Sequence, residues 1–182
     1  TDRIFFSNSL ILKNLEFNYN INNLYIINIQ ADQPFIDKDL INKFIENINL
    51  MDNPEIVTAY YKKNYSLAEN FDVVKLITSK KSKRVLYFSR SVIPFVKNFY
   101  KNEFYQSESI SLKCHIGIYA YRFDILQSWS SLKNSQLEDN ESLEQLRWLD
   151  NDIPIYAFEY DREVLSVDNN EQLDYARKLA KL

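Results

Sequence analysis

One glycine, Gly117, serves a chain of 182 residues. Phosphate cradles of the P-loop or dinucleotide type need several glycines, because their backbone must turn sharply and approach the phosphates closely. Both types are excluded. The single cysteine (Cys114) and single histidine (His115) likewise exclude zinc-finger, iron–sulfur and disulfide scaffolds. A lone cysteine suits a reducing compartment. The three rare residues lie within four positions of one another. About 20 asparagines accompany many Ile, Lys, Tyr and Phe, all with AT-rich codons, so genome bias accounts for the composition. Hydrophobic residues make up 46% of the chain, enough for the core of one domain over residues 1–182. A net charge of −3 and a pI near 5.3 argue against a nucleic-acid partner. No apolar run reaches membrane-spanning length, and Thr-Asp-Arg-Ile does not read as a signal peptide.

Leu24 to Gln30 is a short apolar run that reads as a buried strand of a parallel sheet, closed by Pro34. Asp37 then caps an amphipathic helix over Lys38 to Ile48. Ile56–Tyr61, Val73–Thr78 and Arg84–Phe88 read as strands, with Lys80 to Lys83 as a hairpin turn. Ser91–Tyr105 is aromatic and irregular. His115–Arg122 alternates as a strand and leads into a short helix over Phe123–Trp129. Leu143, Leu146 and Leu149 mark a helix over Glu138–Asp150, Ile153–Phe158 a further strand, and Asn170–Leu182 a closing helix. The pattern predicts an α/β domain with a mixed, mostly parallel sheet flanked by helices. Ligands of such sheets sit beyond the carboxyl ends of parallel strands, which singles out Asp32.

Three stretches, taken together, resemble the CMP-Kdo synthetases, the 3-deoxy-manno-octulosonate (Kdo) cytidylyltransferases. Ile27-Asn28-Ile29-Gln30-Ala31-Asp32-Gln33-Pro34-Phe35-Ile36 resembles V-N-V-Q-G-D-E-P-x-I. Val73-Val74-Lys75 with Leu86 to Pro94 resembles V-V-K…L-Y-F-S-R-x-x-I-P. His115 to Arg122, with Leu143 to Arg147, resembles H-x-G-I-Y-x-Y-R and L-E-Q-L-R. Order and spacing agree across nearly the whole chain. The resemblance implies a nucleotide-diphospho-sugar transferase-like fold. It also implies transfer of CMP from CTP to Kdo with release of pyrophosphate, a reaction of lipopolysaccharide biosynthesis. Mg²⁺, a cytoplasmic location and a homodimer come with it. Thr1-Asp2-Arg3 resembles the end of the family's S-G-T-[DE]-R, before which the family carries a βα portion that grips the nucleotide. The chain is therefore expected to be N-terminally truncated and to have little or no activity alone.

Carried over residue by residue, the resemblance makes Asp32 and Asp168 the catalytic Mg²⁺ ligands. Gln30, Arg90, His115, Tyr119, Glu144 and Gln145 are the expected substrate-binding residues, most of them contacts to the sugar acid. Each has a plainer reading. Asp32 could be a turn residue and Asp168 a helix cap. His115 could be a structural strand residue, Arg90 a surface ion pair, and Glu144 and Gln145 a solvated helix face. Gln33 stands where the family has Glu, which removes a carboxylate. Gly117, between His115 and Tyr119 on one face of a strand, leaves room for a ligand. Lys75 serves packing or charge balance, and Cys114, Trp129 and Trp148 fill the core. Two rivals remain: a non-catalytic remnant that binds a sugar acid or a partner, and a cytidylyltransferase for another, sialic-acid-like sugar.

Overall fold

A computed structural model describes residues 1–13, 23–64, 70–97, 110–167 and 169–180. Among the described residues six strands form one sheet: β1 (Tyr25–Asn28), β2 (Ile56–Asn64), β3 (Lys75–Thr78), β4 (Val85–Ser89), β5 (Ser111–Arg122) and β6 (Ile155–Glu159). Six α-helices accompany them among the described residues: α1 (Asp2–Lys13), α2 (Lys38–Leu50), α3 (Phe123–Ser128), α4 (Gln136–Glu141), α5 (Gln145–Asp150) and α6 (Asn170–Leu179). The strand order is β4-β3-β5-β2-β6, with β1 also on β5.

Long β5 organises the sheet. It pairs antiparallel with β1, β2 and β3, and β4 is antiparallel to β3; only β2 and β6 pair in parallel. The sheet is mixed, as expected, but its pairings are mostly antiparallel rather than mostly parallel. β1, β2, β3 and β6 do share a direction, and β5 is wedged among them. Nothing in the periodicity of β5 reveals where it inserts. The same insertion explains why β1 is antiparallel-paired and only partly buried, not the buried parallel strand its apolar run suggested.

Alternation along β5 separates two cores. Leu112, Cys114, Ile116, Ile118 and Ala120 face one side, where Leu40 and Phe44 of α2 pack. Phe44 meets Phe158 edge-on at 4.9 Å. Tyr119 and Tyr121 face the other side, with Leu126, Trp129, Leu143, Leu146 and Trp148. Cys114, Trp129 and Trp148 are all core residues, as expected.

Local chemistry sets the element ends. The Asp37 carboxylate accepts from Asp39 N–H at 2.9 Å and caps α2. The β3–β4 turn closes with Ser79 N–H donating to Arg84 C=O at 2.8 Å. Among the described residues, four non-glycine residues take positive φ: Asn53, Lys83, Ser142 and Asp152. A chain with one glycine must build such turns from other residues, and Asn and Asp tolerate them best. Ser142 matters most, because its φ of 52° divides the helix expected over Glu138–Asp150 into α4 and α5. Leucine spacing continues through the break, since Leu143, Leu146 and Leu149 all stay on the core, and so it hid the interruption. Arg147 bridges the two pieces, pairing with Glu138 at 2.5 Å. The expected closing helix runs to Leu179.

Candidate active site

A cleft of about 710 Å³ opens where the ends of β1 and β4, the middle of β5, the start of α1 and the α4–α5 break converge. It is lined by Gln30, Asp32, Arg90, His115, Tyr119, Glu144 and Gln145. These are seven of the eight residues chosen from the sequence; the eighth, Asp168, lies outside the described residues. A second cavity of about 570 Å³ adjoins it, sharing Gln30, Asp32, His115 and Gly117.

Asn28, Gln30 and Asp32 follow the two-residue period past the end of β1 into the cleft. Asn28 was missed by the sequence reading although that period pointed to it. Asp32 is exposed. Its backbone carbonyl accepts from Val167 N–H at 2.8 Å, and Ser166 Oγ stands 3.5 Å from its carboxylate. Among the described residues it makes no ion pair. The neighbouring segment therefore lies against Asp32 up to residue 167. The cap of α6 is Asn169, which exchanges hydrogen bonds with Gln172 at 3.0 and 3.1 Å.

Arg90 follows β4. Nε donates to Glu141 C=O at 2.8 Å, and the terminal nitrogens donate to Phe71 and Ser142 carbonyls at 3.2 and 3.3 Å. The Glu141 carboxylate instead takes Arg90 N–H at 2.9 Å and the Ser89 hydroxyl at 2.6 Å. Arg90 is thus not a surface ion pair. Three of its five guanidinium N–H groups are spent on neutral carbonyls, and one on each terminal nitrogen is left over. The α4–α5 break supplies two of the three carbonyls.

His115 and Tyr119 share a face of β5, their rings 5.2 Å apart, with Phe88 5.1 Å from the imidazole. Burial pushes the His115 imidazole down to about 3, so it is neutral at physiological pH. Burial raises the Tyr119 and Tyr121 phenols, which stay protonated. The Tyr119 hydroxyl is buried and has no hydrogen-bond partner among the described residues. Across the cleft, Glu144 Oε2 accepts from the Thr1 hydroxyl at 2.8 Å. Thr1 and Tyr121, also on the cleft wall, were not singled out from the sequence.

Gly117 lines both cavities. A Cβ there would stand 3.4 Å from Gln33 Nε2 and 3.8 Å from Gln30 Cγ. The glycine therefore leaves room both for these glutamine side chains and for the cavities it lines. Lys75 is fully buried. Its ammonium donates to the carbonyls of Asn70, Val73 and Arg90 at 3.1, 2.6 and 2.5 Å, fixing the end of β4 against the 70–73 loop.

No cluster of three His, Cys, Asp or Glu side chains fit to hold a metal occurs among the described residues. The unpaired Asp32 carboxylate is nonetheless a donor of the kind Mg²⁺ takes, since that ion is commonly held by one or two carboxylates together with waters and substrate phosphates. No described helix is long and apolar enough to cross a membrane.

Residues 9–163 match the family described as Cytidylyltransferase. A 3-deoxy-manno-octulosonate cytidylyltransferase of Bacteroides thetaiotaomicron is 35% identical over 161 residues, covering 86% of this chain. The chain spans only 62% of that protein's length. The same enzyme of Thermodesulfovibrio yellowstonii is 36% identical, covering 98% of this chain and 68% of its own. Among solved structures, a CMP:2-keto-3-deoxy-manno-octonic acid synthetase complexed with CTP superposes with a TM-score of 0.81 at 29% identity, over 99% of this chain and 67% of that one. A glucose-1-phosphate thymidylyltransferase from Bacillus anthracis, at 15% identity and a TM-score of 0.51, shares the fold. The architecture is that of the nucleotide-diphospho-sugar transferases.

Proposed function

Because the chain belongs to the cytidylyltransferase family, we propose that it carries the sugar-acid site of a CMP-Kdo synthetase, which transfers CMP from CTP to Kdo and releases pyrophosphate. The observation that carries this reading is the meeting of Gln30, Asp32, Arg90, His115, Tyr119, Glu144 and Gln145 in one cleft from four separate stretches of chain. The CTP complex of the structural neighbour supports CTP as the nucleotide.

In this reaction the anomeric hydroxyl of the sugar attacks the α-phosphorus, and the work of the protein is positioning and charge neutralisation. The spare N–H groups of Arg90 suit the sugar carboxylate, with bidentate geometry available. Neutral His115, the Tyr119 hydroxyl, Gln30, Gln145 and the free oxygen of Glu144 suit sugar hydroxyls. Asp32, together with Asp168, would hold Mg²⁺. When bound, the ion would neutralise phosphate charge between two anionic substrates. A homodimer, a cytoplasmic location and a place in lipopolysaccharide biosynthesis rest on the family alone.

Two measurements test the proposal. Calorimetric titration of Kdo is expected to show saturable binding that weakens about 100-fold in Arg90→Ala. Pairing the chain with the N-terminal third of a relative is expected to yield CMP-Kdo from CTP and Mg²⁺. Kdo binding without any CMP-Kdo formation would favour the non-catalytic binding module. A sialic acid binding in preference to Kdo would reassign the sugar.

A further inference from the structure

Thr58, in the middle of β2, is fully buried. It stands where the β2–β5 ladder slips: Thr58 pairs with Tyr119, but Ala59 pairs with Ile116, so β5 advances three residues for one on β2. Such a bulge takes backbone groups out of the ladder. The Thr58 hydroxyl meets them, lying 2.8 Å from Ile118 C=O and 3.2 Å from Ile116 C=O. It also lies 3.0 Å from His115 Nε2.

A hydroxyl has one hydrogen, and a carbonyl can only accept. The short contact to Ile118 claims that hydrogen. What Thr58 Oγ1 then offers His115 is a lone pair, so Nε2 carries the imidazole proton. The ring is neutral, because burial disfavours its charged form. Nδ1 is therefore bare, and no described residue hydrogen-bonds to it. Phe88 and Tyr119 flank the ring, which opposes a flip that would exchange the two nitrogens.

We infer that Thr58 is a positioning residue that locks His115 in its Nε2–H tautomer, so that Nδ1 on the cleft wall accepts a hydrogen bond from a ligand hydroxyl. A bare nitrogen lone pair repels a carboxylate or phosphate oxygen. His115 and Arg90 thus divide the ligand, the first reading a hydroxyl and the second an anion. Only this last step rests on the sugar-acid reading; the tautomer does not.

The chain has one histidine, so ¹⁵N-histidine labelling yields a single imidazole spin system. At neutral pH the ligand-free chain is expected to show a protonated Nε2 and a bare Nδ1. Thr58→Ser should preserve that pattern, and Thr58→Val, which keeps the shape and removes the oxygen, should lose it. An Nδ1–H tautomer in the native chain, or an unchanged tautomer in Thr58→Val, overturns the inference. If the valine variant does not fold, the native tautomer and the serine variant still decide. Added Kdo should move the Nδ1 resonance more than the Nε2 resonance. Thr58→Val should weaken Kdo binding about tenfold, with Thr58→Ser near the native value. If Kdo binds and Nδ1 does not respond, the hydroxyl assignment is overturned; if Kdo does not bind at all, the sugar-acid reading fails while the tautomer result stands.

Discussion

Lys75 and Arg90 are neighbours with the same kind of anchorage and different amounts of it to spare. Each is a cation held by three backbone carbonyls, and neither pairs with a carboxylate among the described residues. An ammonium has three donors and Lys75 has used all three. A guanidinium has five, and Arg90, which lines the cleft, has two left. The first cation is therefore structural and the second is available. Residual hydrogen-bonding capacity, not charge, separates a buried staple from a binding group.

The sharpest break in this comparison is Lys75→Met. It strips the donor from three carbonyls at once and should cost about 3 kcal/mol of stability, read from the midpoint of urea unfolding. Arg90→Ala should do the reverse. Its stability loss should stay near 1 kcal/mol while Kdo affinity by calorimetry falls about 100-fold, the worth of a charge-assisted bidentate contact. Equal stability losses in the two variants would erase the distinction drawn here.

His115 extends the comparison to a group kept uncharged. Its folded value, about 3, lies below its ordinary value of 6.5. Between those limits the unfolded chain binds a proton that the folded chain refuses. The contribution is intact above about pH 6.5 and drains away as pH falls toward 3. Unfolding measured from pH 7 to pH 4 should therefore show a shallower acid decline in His115→Gln than in the native chain. Tyr119→Phe removes a hydroxyl with no described partner. It should leave stability unchanged or slightly raised while Kdo binding weakens about fivefold. The smallest effect belongs to Gly117→Ala. Its Cβ would just touch a glutamine side chain at 3.4 Å, so the thermal midpoint should move by less than the equivalent of about 1 kcal/mol.

Much of the site was legible in the order of residues, and particular positions show why. Gln30 and Asp32 fall on a two-residue period running out of a strand, and His115 and Tyr119 fall on another, so backbone geometry alone puts each pair on one face. The capping role of Asp37 was equally visible, because a cap is a contact between near neighbours in sequence. Thr58 was not visible. Its partners lie 57 to 60 residues away, across a bulge that no local pattern announces. The α4–α5 break escaped notice for another reason: leucine spacing reports which face is buried, and that face stays buried through the interruption.

Sequence by itself determined the α/β class, most of the elements and the identity of the cleft residues. The class and elements follow from periodicities of two and 3.6, and the cleft residues from the resemblance to the family's motifs. Tertiary structure decided the insertion of β5, the residual donors of Arg90, the saturation of Lys75 and the proton position on His115. Each of those depends on which carbonyls and hydroxyls arrive from distant parts of the chain. A hydrogen bond is settled by angle and distance between its partners, and only the folded chain brings those partners together.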